Sequence, residues 1–65
     1  MKRTVVFNFH TRNDKGVPLL GFAVELIKYH SDRPILDLQK EAFDYMMKIA
    51  SGYPNGLMMT IEVFE

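Results

Sequence analysis

The sequence of 65 residues contains no cysteine and no tryptophan, and its formal net charge is zero. Without cysteine the chain can form neither a disulfide nor a thiolate zinc site, and His10 and His30 lie too far apart in the sequence to make a recognisable pair of metal ligands. A neutral chain is also a poor electrostatic trap for phosphate groups. Of the usual supports of so small a domain, self-association remains.

Long hydrophobic runs are absent as well. The longest nearly apolar stretch, residues 17–24, is less than half as long as a membrane-spanning helix. The glycines match neither common phosphate-binding pattern, GxGxxG or the lysine-bearing P-loop. We expect a soluble protein with no cofactor and no membrane partner. We also expect a cytoplasmic location, although the lack of cysteine does not by itself decide the compartment.

A chain of this length has room for one hydrophobic core. Glycine and proline cluster at residues 13–18, 31–34 and 52–56, where they indicate turns and divide the chain into four segments. We therefore predict one small α+β domain over residues 1–65.

The first and last segments, 3–11 and 57–65, alternate between apolar and polar side chains, which is typical of strands with one buried face. The buried faces would carry Val5, Phe7 and Phe9 in the first strand and Leu57, Met59, Ile61 and Val63 in the last. Residues 38–50 are rich in helix formers and carry an apolar stripe at helical spacing. That stripe comprises Leu38, Ala42, Tyr45, Met46 and Ile49. We predict that Asp37 caps this helix and that Gly52 ends it in a left-handed conformation.

Residues 19–29 fit both a helical stripe and a strand. Pairing with the first strand separates the two interpretations. One register places apolar partners together: Val5 opposite Leu26, Phe7 opposite Val24, and Phe9 opposite Phe22. One face of the hairpin is then wholly apolar, with the even-numbered side chains of 19–29 facing the core. The sequence therefore favours a second strand.

A helix that follows such a hairpin packs on its apolar face. We predict an α+β fold of the ββαβ type, a three-stranded antiparallel sheet in the order 2-1-3 with one helix packed on one face. The two outer strands would be open edges.

Asn8, His10 and Glu25 would share the outer sheet face in this register, and a histidine beside a carboxylate can act as a general base. No serine or cysteine nucleophile lies near them, and a sheet face this small offers no deep pocket. A line of acidic residues on the helix has the spacing of a solvated face and lacks the loop oxygens that calcium requires. These residues are Asp37, Glu41 and Asp44. We predict that the protein is not an enzyme.

The outer sheet face is predicted to be more apolar than solvent exposure requires, which is typical of a contact surface. The predicted partner-binding residues are Val6, Leu19, Ile27, Tyr29, Met58 and Phe64. An unprotected edge strand beside them could pair with another chain. The sequence therefore favours a protein-binding module, either a small homodimer or an inhibitor or regulator that docks on a larger protein through a sheet edge or the outer face.

A nucleic-acid-binding module is the alternative. Basic side chains gather on the first strand and the hairpin tip with aromatic residues between them, as in exposed-sheet stacking platforms. The candidate contacts are Arg3, His10, Arg12 and Lys15.

Several short motifs resemble the histidine-containing phosphocarrier proteins of the sugar phosphotransferase system. They are Pro18, Phe22, Tyr29-His30-Ser31-Asp32, Gly52-Tyr53-Pro54-Asn55-Gly56 and Thr60-Ile61. The resemblance implies a phosphocarrier-like protein without its active histidine, because Lys15 stands at that position and Val17 at that of the neighbouring arginine. The last helix of that family has no counterpart in this sequence. A helix over residues 19–29 would favour its topology.

Overall fold

The computed structural model describes residues 2–65, which form three strands, one α-helix and one 3-10 turn. They are β1 (Arg3–Thr11), β2 (Glu25–Ser31), α1 (Ile35–Ile49), the 3-10 turn (Ala50–Gly52) and β3 (Leu57–Phe64). Both neighbours of β1 pair with it antiparallel, and the order across the sheet is β2-β1-β3. The predicted fold class and strand order are confirmed.

The core forms between the middle strand and the helix. Val5, Phe7 and Phe9 of β1 are fully buried, as are Leu38 and Ala42 of α1. A period of two in the strand and of 3.6 in the helix places all five on facing surfaces. Further side chains pack around them: Ile27, Tyr29, Ile35, Tyr45, Met46, Ile49 and Met59. The helical stripe that the sequence predicts is therefore the face that packs on the sheet.

The predicted register between the first two strands is wrong. Phe7 pairs with Ile27, three positions from the predicted Val24, and Val5 pairs with Tyr29. Because side chains alternate between faces, a shift by an odd number of residues exchanges the two faces of β2. Odd-numbered residues of β2 therefore face the helix. The Tyr29 ring meets Phe7 edge to face at 5.8 Å between centroids.

An additional turn accounts for the shift. The predicted hairpin tip forms: the Asn13 side chain accepts hydrogen bonds from two backbone N–H groups, and Gly16 has a φ of +80°. The hairpin then pairs only as far as Leu19, whose N–H donates to the Thr11 carbonyl. Residues 20–23 leave the ladder, the N–H of Val24 donates to the Phe9 carbonyl, and β2 begins at Glu25. The predicted register paired the apolar side chains of these loop residues with those of β1 and so treated the loop as part of a strand.

The helix termini also differ from the prediction. Helix α1 begins at Ile35 behind Pro34, whose carbonyl accepts the N–H of Asp37. Asp37 therefore lies inside the first turn, where its charge complements the helix dipole, and makes no side-chain cap. Gly52 lies in the 3-10 turn and not in a left-handed stop. Residues 19–29 contain no helix, so the feature that would favour a phosphocarrier-like topology is missing from this described segment.

We predict that Leu38→Ala lowers the free energy of unfolding by about 2–5 kcal/mol, because it leaves a cavity beneath the helix. Leu20→Ala is the matched control, since Leu20 is 57% exposed, and we expect a change within about 0.5 kcal/mol. Urea unfolding followed by circular dichroism measures both. Equal losses in the two variants would contradict the location of the core.

Candidate functional site

Polar side chains form a row across the sheet face away from the helix, which we call the outer face. Asn8 Nδ2 donates to Glu62 Oε1 at 2.7 Å and so links β1 to β3. His10 makes two contacts: Nδ1 lies 2.8 Å from the Phe22 carbonyl oxygen, and Nε2 lies 2.9 Å from Thr60 Oγ1. The row depends on the β1–β3 register, which pairs Asn8 with Thr60.

These contacts determine which nitrogen of His10 is protonated. A carbonyl oxygen only accepts, so Nδ1 carries a hydrogen and donates to Phe22. In the neutral ring Nε2 has the lone pair and accepts from the Thr60 hydroxyl. His10 is 7% exposed and both nitrogens are engaged. Its arrangement is that of a side chain that fastens the 19–24 turn to the sheet.

A shallow depression of about 350 Å³ lies over the polar row. Its lining comprises Asn8, His10, Leu20, Ala23, Thr60 and Glu62. The polar groups of its floor bond to one another and to the turn. Catalysis by a general base needs a base within reach of substrate, and the ring that could serve is held in internal contacts.

The predicted constellation of Asn8, His10 and Glu25 is not assembled. Glu25 lies on the helix face because of the shifted register of β2, where it pairs with the buried Phe9 position. Glu62 takes its place beside Asn8. Sequence reasoning missed Glu62 and Thr60 because it assigned no register to the last strand, although the alternation of that strand was a usable signal.

Three of the predicted partner-binding residues lie on the outer face: Val6, Met58 and Phe64. The predicted outer-face position is wrong for Ile27 and Tyr29, which lie on the helix face and pack against the core. Leu19 lies in the turn that precedes β2 and not on the sheet. The outer face is therefore not a continuous apolar patch, because the polar row runs through it.

The predicted nucleic-acid contacts are spread along β1. Arg3, at its start, donates to the carbonyl of Arg33 at 3.1 Å. Arg12, beyond its end, donates to the carbonyl of Gly16 at 3.0 Å. About nine residue rises separate the two arginines, or roughly 30 Å. Lys15 is exposed at the hairpin tip, and the histidine of the set is buried. The fold does not gather these side chains into one patch.

The acidic line on α1 is solvent-exposed and includes an ion pair between Glu41 and Arg33 at 2.8 Å. Within residues 2–65 no group of three histidine, cysteine or acidic side chains is arranged to hold a metal ion. In the same part of the chain no helix has the length and apolar character needed to cross a membrane.

Hydrogen bonds between side chains line the side of α1 that faces β2. The Arg33 guanidinium donates to Glu41 and lowers the pKa of that carboxyl. Tyr29 lies beside Glu41, and burial together with this carboxylate raises the pKa of its hydroxyl. The Tyr45 hydroxyl donates to Glu25 at 2.6 Å, a contact that raises the pKa of Tyr45. Together these groups cover the helix-facing side of β2.

The opposite side of α1 is apolar and exposed. Leu36, Phe43 and Met47 are 70%, 48% and 59% exposed. At 3.6 residues per turn they lie roughly 160° around the helix axis from Glu41 and Tyr45. The buried Leu38 and Ala42, which face the sheet, lie roughly 140° around the axis from the stripe, so the stripe points away from the sheet into solvent.

Helix α1 shields only part of β3. Met59 packs against the core, whereas Ile61 and Val63, on the same sheet face, are 39% and 42% exposed. Among residues 2–65 no strand pairs with the outer edge of β3. We call this edge, together with the exposed side chains of Ile61 and Val63 beside it, the β3 flank.

The two edges of the sheet differ in their protection. Natural edge strands avoid unwanted pairing by carrying charges, lysine above all. β2 has the exposed Lys28 in its middle and the polar contacts described above. β3 has one charged residue, Glu62, and that carboxylate bonds to Asn8 on the outer face. The β3 edge is therefore the accessible one for pairing.

We predict that His10→Ala costs about 1–3 kcal/mol of stability, because it leaves a part-buried carbonyl and a hydroxyl without their partner. His10→Asn retains an N–H donor near the Nδ1 position and should lose less. Urea unfolding of the three proteins at pH 7 measures the difference. Unfolding curves of His10→Ala that superpose on those of the wild type would contradict a fastening role.

The Glu41 pair should stabilise the fold in a pH-dependent manner. Because the pKa of Glu41 is lowered from the ordinary 4.5 in the folded state, its contribution is present above that value and is lost as the pH falls through the lowered pKa. The stability advantage of the wild type over Glu41→Gln at pH 7 should therefore vanish in acid. Unfolding titrations from pH 7 to about pH 3 test this. An advantage that persists unchanged in acid would contradict the pairing.

No family model matches the chain, and no curated protein or solved structure matches it.

Proposed function

We propose that this chain is a non-enzymatic protein-binding module, and that a partner docks on the β3 flank by adding an extended strand to β3. The observation that carries the proposal is the combination of an accessible strand edge with the exposed apolar side chains Ile61 and Val63 beside it. An edge strand offers main-chain hydrogen bonds for affinity, and the neighbouring side chains provide selectivity.

The backbone of β3 supplies the first part of this surface. In an antiparallel sheet alternate residues direct both N–H and C=O toward each neighbour, so about four of the eight residues of β3 direct these groups away from β1. Unpaired backbone groups form a template for another strand. A partner segment of similar length could satisfy them without any change in the fold.

The side chains of the β3 flank supply the second part. Ile61 and Val63 project on the helix face beside the edge and remain exposed. An added strand would cover these two side chains with its own and shield them from water. Each large apolar side chain that becomes fully buried contributes roughly 1.5–3 kcal/mol.

Substitution of an edge residue tests the proposal. Val63→Lys places a charge beside the edge, where it should block strand addition while remaining solvated in the free protein. The wild-type chain and Val63→Lys are each immobilised at the same low density and incubated with a cell extract. We expect a partner that the wild type captures and whose capture falls at least tenfold with Val63→Lys. Quantitative mass spectrometry measures the captured protein.

Leu26→Lys is the matched control, since Leu26 is a 55% exposed residue of the other edge strand, β2. We expect it to retain wild-type capture. Circular dichroism establishes that both variants fold. Equal loss in the two variants, or capture that neither variant changes, would contradict docking at β3.

A further inference from the structure

We infer that the Asn55–Gly56 peptide is a site of spontaneous deamidation, and that the modified residue releases the turn ahead of β3 from the hairpin tip. The site lies outside the β3 flank, immediately before the first residue of that strand. Its reactivity follows from the residue pair, and its consequence follows from the contacts of the Asn55 side chain.

A single asparagine of the sequence precedes glycine. The three asparagines are followed by Phe9, Asp14 and Gly56. Deamidation begins when the backbone nitrogen of the following residue attacks the side-chain amide carbon, and a side chain on that residue obstructs the approach. Glycine has no side chain and adopts backbone conformations that other residues avoid. Asn55 is therefore the asparagine whose attack is least obstructed.

The reaction balances with water as its one co-reactant. The Gly56 nitrogen loses its proton to base and forms a bond to Cγ of Asn55. The bond from Cγ to Nδ2 then breaks, and ammonia leaves with a proton from solvent. Water opens the resulting five-membered succinimide at either of its two carbonyl carbons. One product is aspartate, and the other is isoaspartate, whose backbone passes through Cγ and is longer by one carbon.

The structure leaves this pair accessible. Asn55 is exposed, and a Cβ built on Gly56 would meet only Cδ of Arg12, at 3.9 Å. The N–H of Gly56 donates to the Tyr53 carbonyl at 2.9 Å and closes the turn. Because the same nitrogen is the nucleophile, this hydrogen bond has to open before the attack. Exposed turns open locally at a small cost in free energy.

The other two asparagines are held more firmly. Asn8 lies in β1, whose backbone pairs with a strand on each side. The Asn13 side-chain oxygen accepts the N–H groups of Lys15 and Val17. Both therefore serve as internal controls for the reaction at Asn55.

The Asn55 amide joins two loops that are distant in the sequence. Its Nδ2 donates to the Arg12 carbonyl at 3.3 Å and to Asp14 Oδ1 at 3.2 Å. Both partners only accept, so the bridge needs a donor at position 55. Beside it, the pair of Thr11 and Leu57 ends the β1–β3 ladder. Asn55 therefore fastens the start of β3 to the hairpin tip.

Deamidation removes that donor. A carboxylate at position 55 only accepts, and it would face a carbonyl oxygen and the Asp14 carboxylate at hydrogen-bond distance. Two like charges this close repel each other, so an attraction becomes a repulsion. Isoaspartate also lengthens the backbone ahead of Leu57. Both products therefore separate the turn from the hairpin tip and loosen this end of the ladder.

Peptide mass spectrometry after incubation of the folded chain at mildly alkaline pH tests the site. We expect the mass gain of an amide-to-acid exchange in the peptide that carries Asn55, while those with Asn8 and Asn13 stay unchanged. Labelling by an isoaspartyl methyltransferase identifies the isoaspartate. Modification of all three asparagines at one rate, or none at Asn55, would overturn the inference.

Substitution of Asp14 tests whether the bridge restrains the turn. Asp14→Ala removes one acceptor of the Asn55 amide, so Asn55 should deamidate about two- to tenfold faster than in the wild type. Asp32→Ala is the matched control, since Asp32 is an exposed aspartate of another turn, and it should react at the wild-type rate. Equal rates in the two variants would show that the bridge does not hold the turn closed.

The product is reproduced directly by Asn55→Asp. This variant should unfold at a lower urea concentration than the wild type, because the bridge is lost and two carboxylates face each other. Measured against Asp14→Asn alone, the same substitution should cost less, because the opposing charge is absent. An equal loss in both backgrounds would contradict the repulsion, and no loss in either would contradict the release of the turn.

Discussion

The structure depends on the burial of one strand. Val5, Phe7 and Phe9 are fully covered by the helix and by the side chains of both neighbouring strands, so β1 supplies most of the core of a very small domain. Both other strands hydrogen-bond to β1 and not to each other. Loss of this strand would leave neither a sheet nor a surface on which the helix could pack.

This arrangement makes the two edges of the sheet unequal. The helix is attached to the β2 side by hydrogen bonds from Arg33 to Glu41 and from Tyr45 to Glu25. On the opposite side, Ile61 and Val63 of β3 remain exposed, although they lie on the same sheet face as the helix.

Much of the fold follows from local patterns in the sequence. The alternation in 3–11, the helical stripe that includes Leu38 and Ala42, and the glycines of the turns specify the elements, their order and the core face. The register of β2 does not follow, because residues 19–24 are as apolar as a strand but form a turn. That turn is fastened by contacts of His10 with residues distant in the sequence, which no local pattern encodes.

The candidate site was less predictable than the fold. Exposure of Ile61 and Val63 depends on where the helix crosses the sheet, and the alternation of β3 carries no information about that position. The alternation of β3 predicts correctly that both side chains lie on the sheet face that carries the helix. It predicts wrongly that they are buried there. The predicted partner-binding residues were assigned to the outer face through the wrong register. Only the three that lie outside β2 and its preceding turn are on that face: Val6, Met58 and Phe64.

Pairing between β1 and β3 also has a consequence for how the chain acquires its structure. Thr4 pairs with Phe64, and Thr11 with Leu57, so every contact of this ladder spans most of the sequence. Closing such large loops is entropically costly and makes folding slow for a domain of this size. During synthesis the first strand emerges early and must wait for the last. Until then the edge of β1 that β3 occupies in the folded chain has no partner.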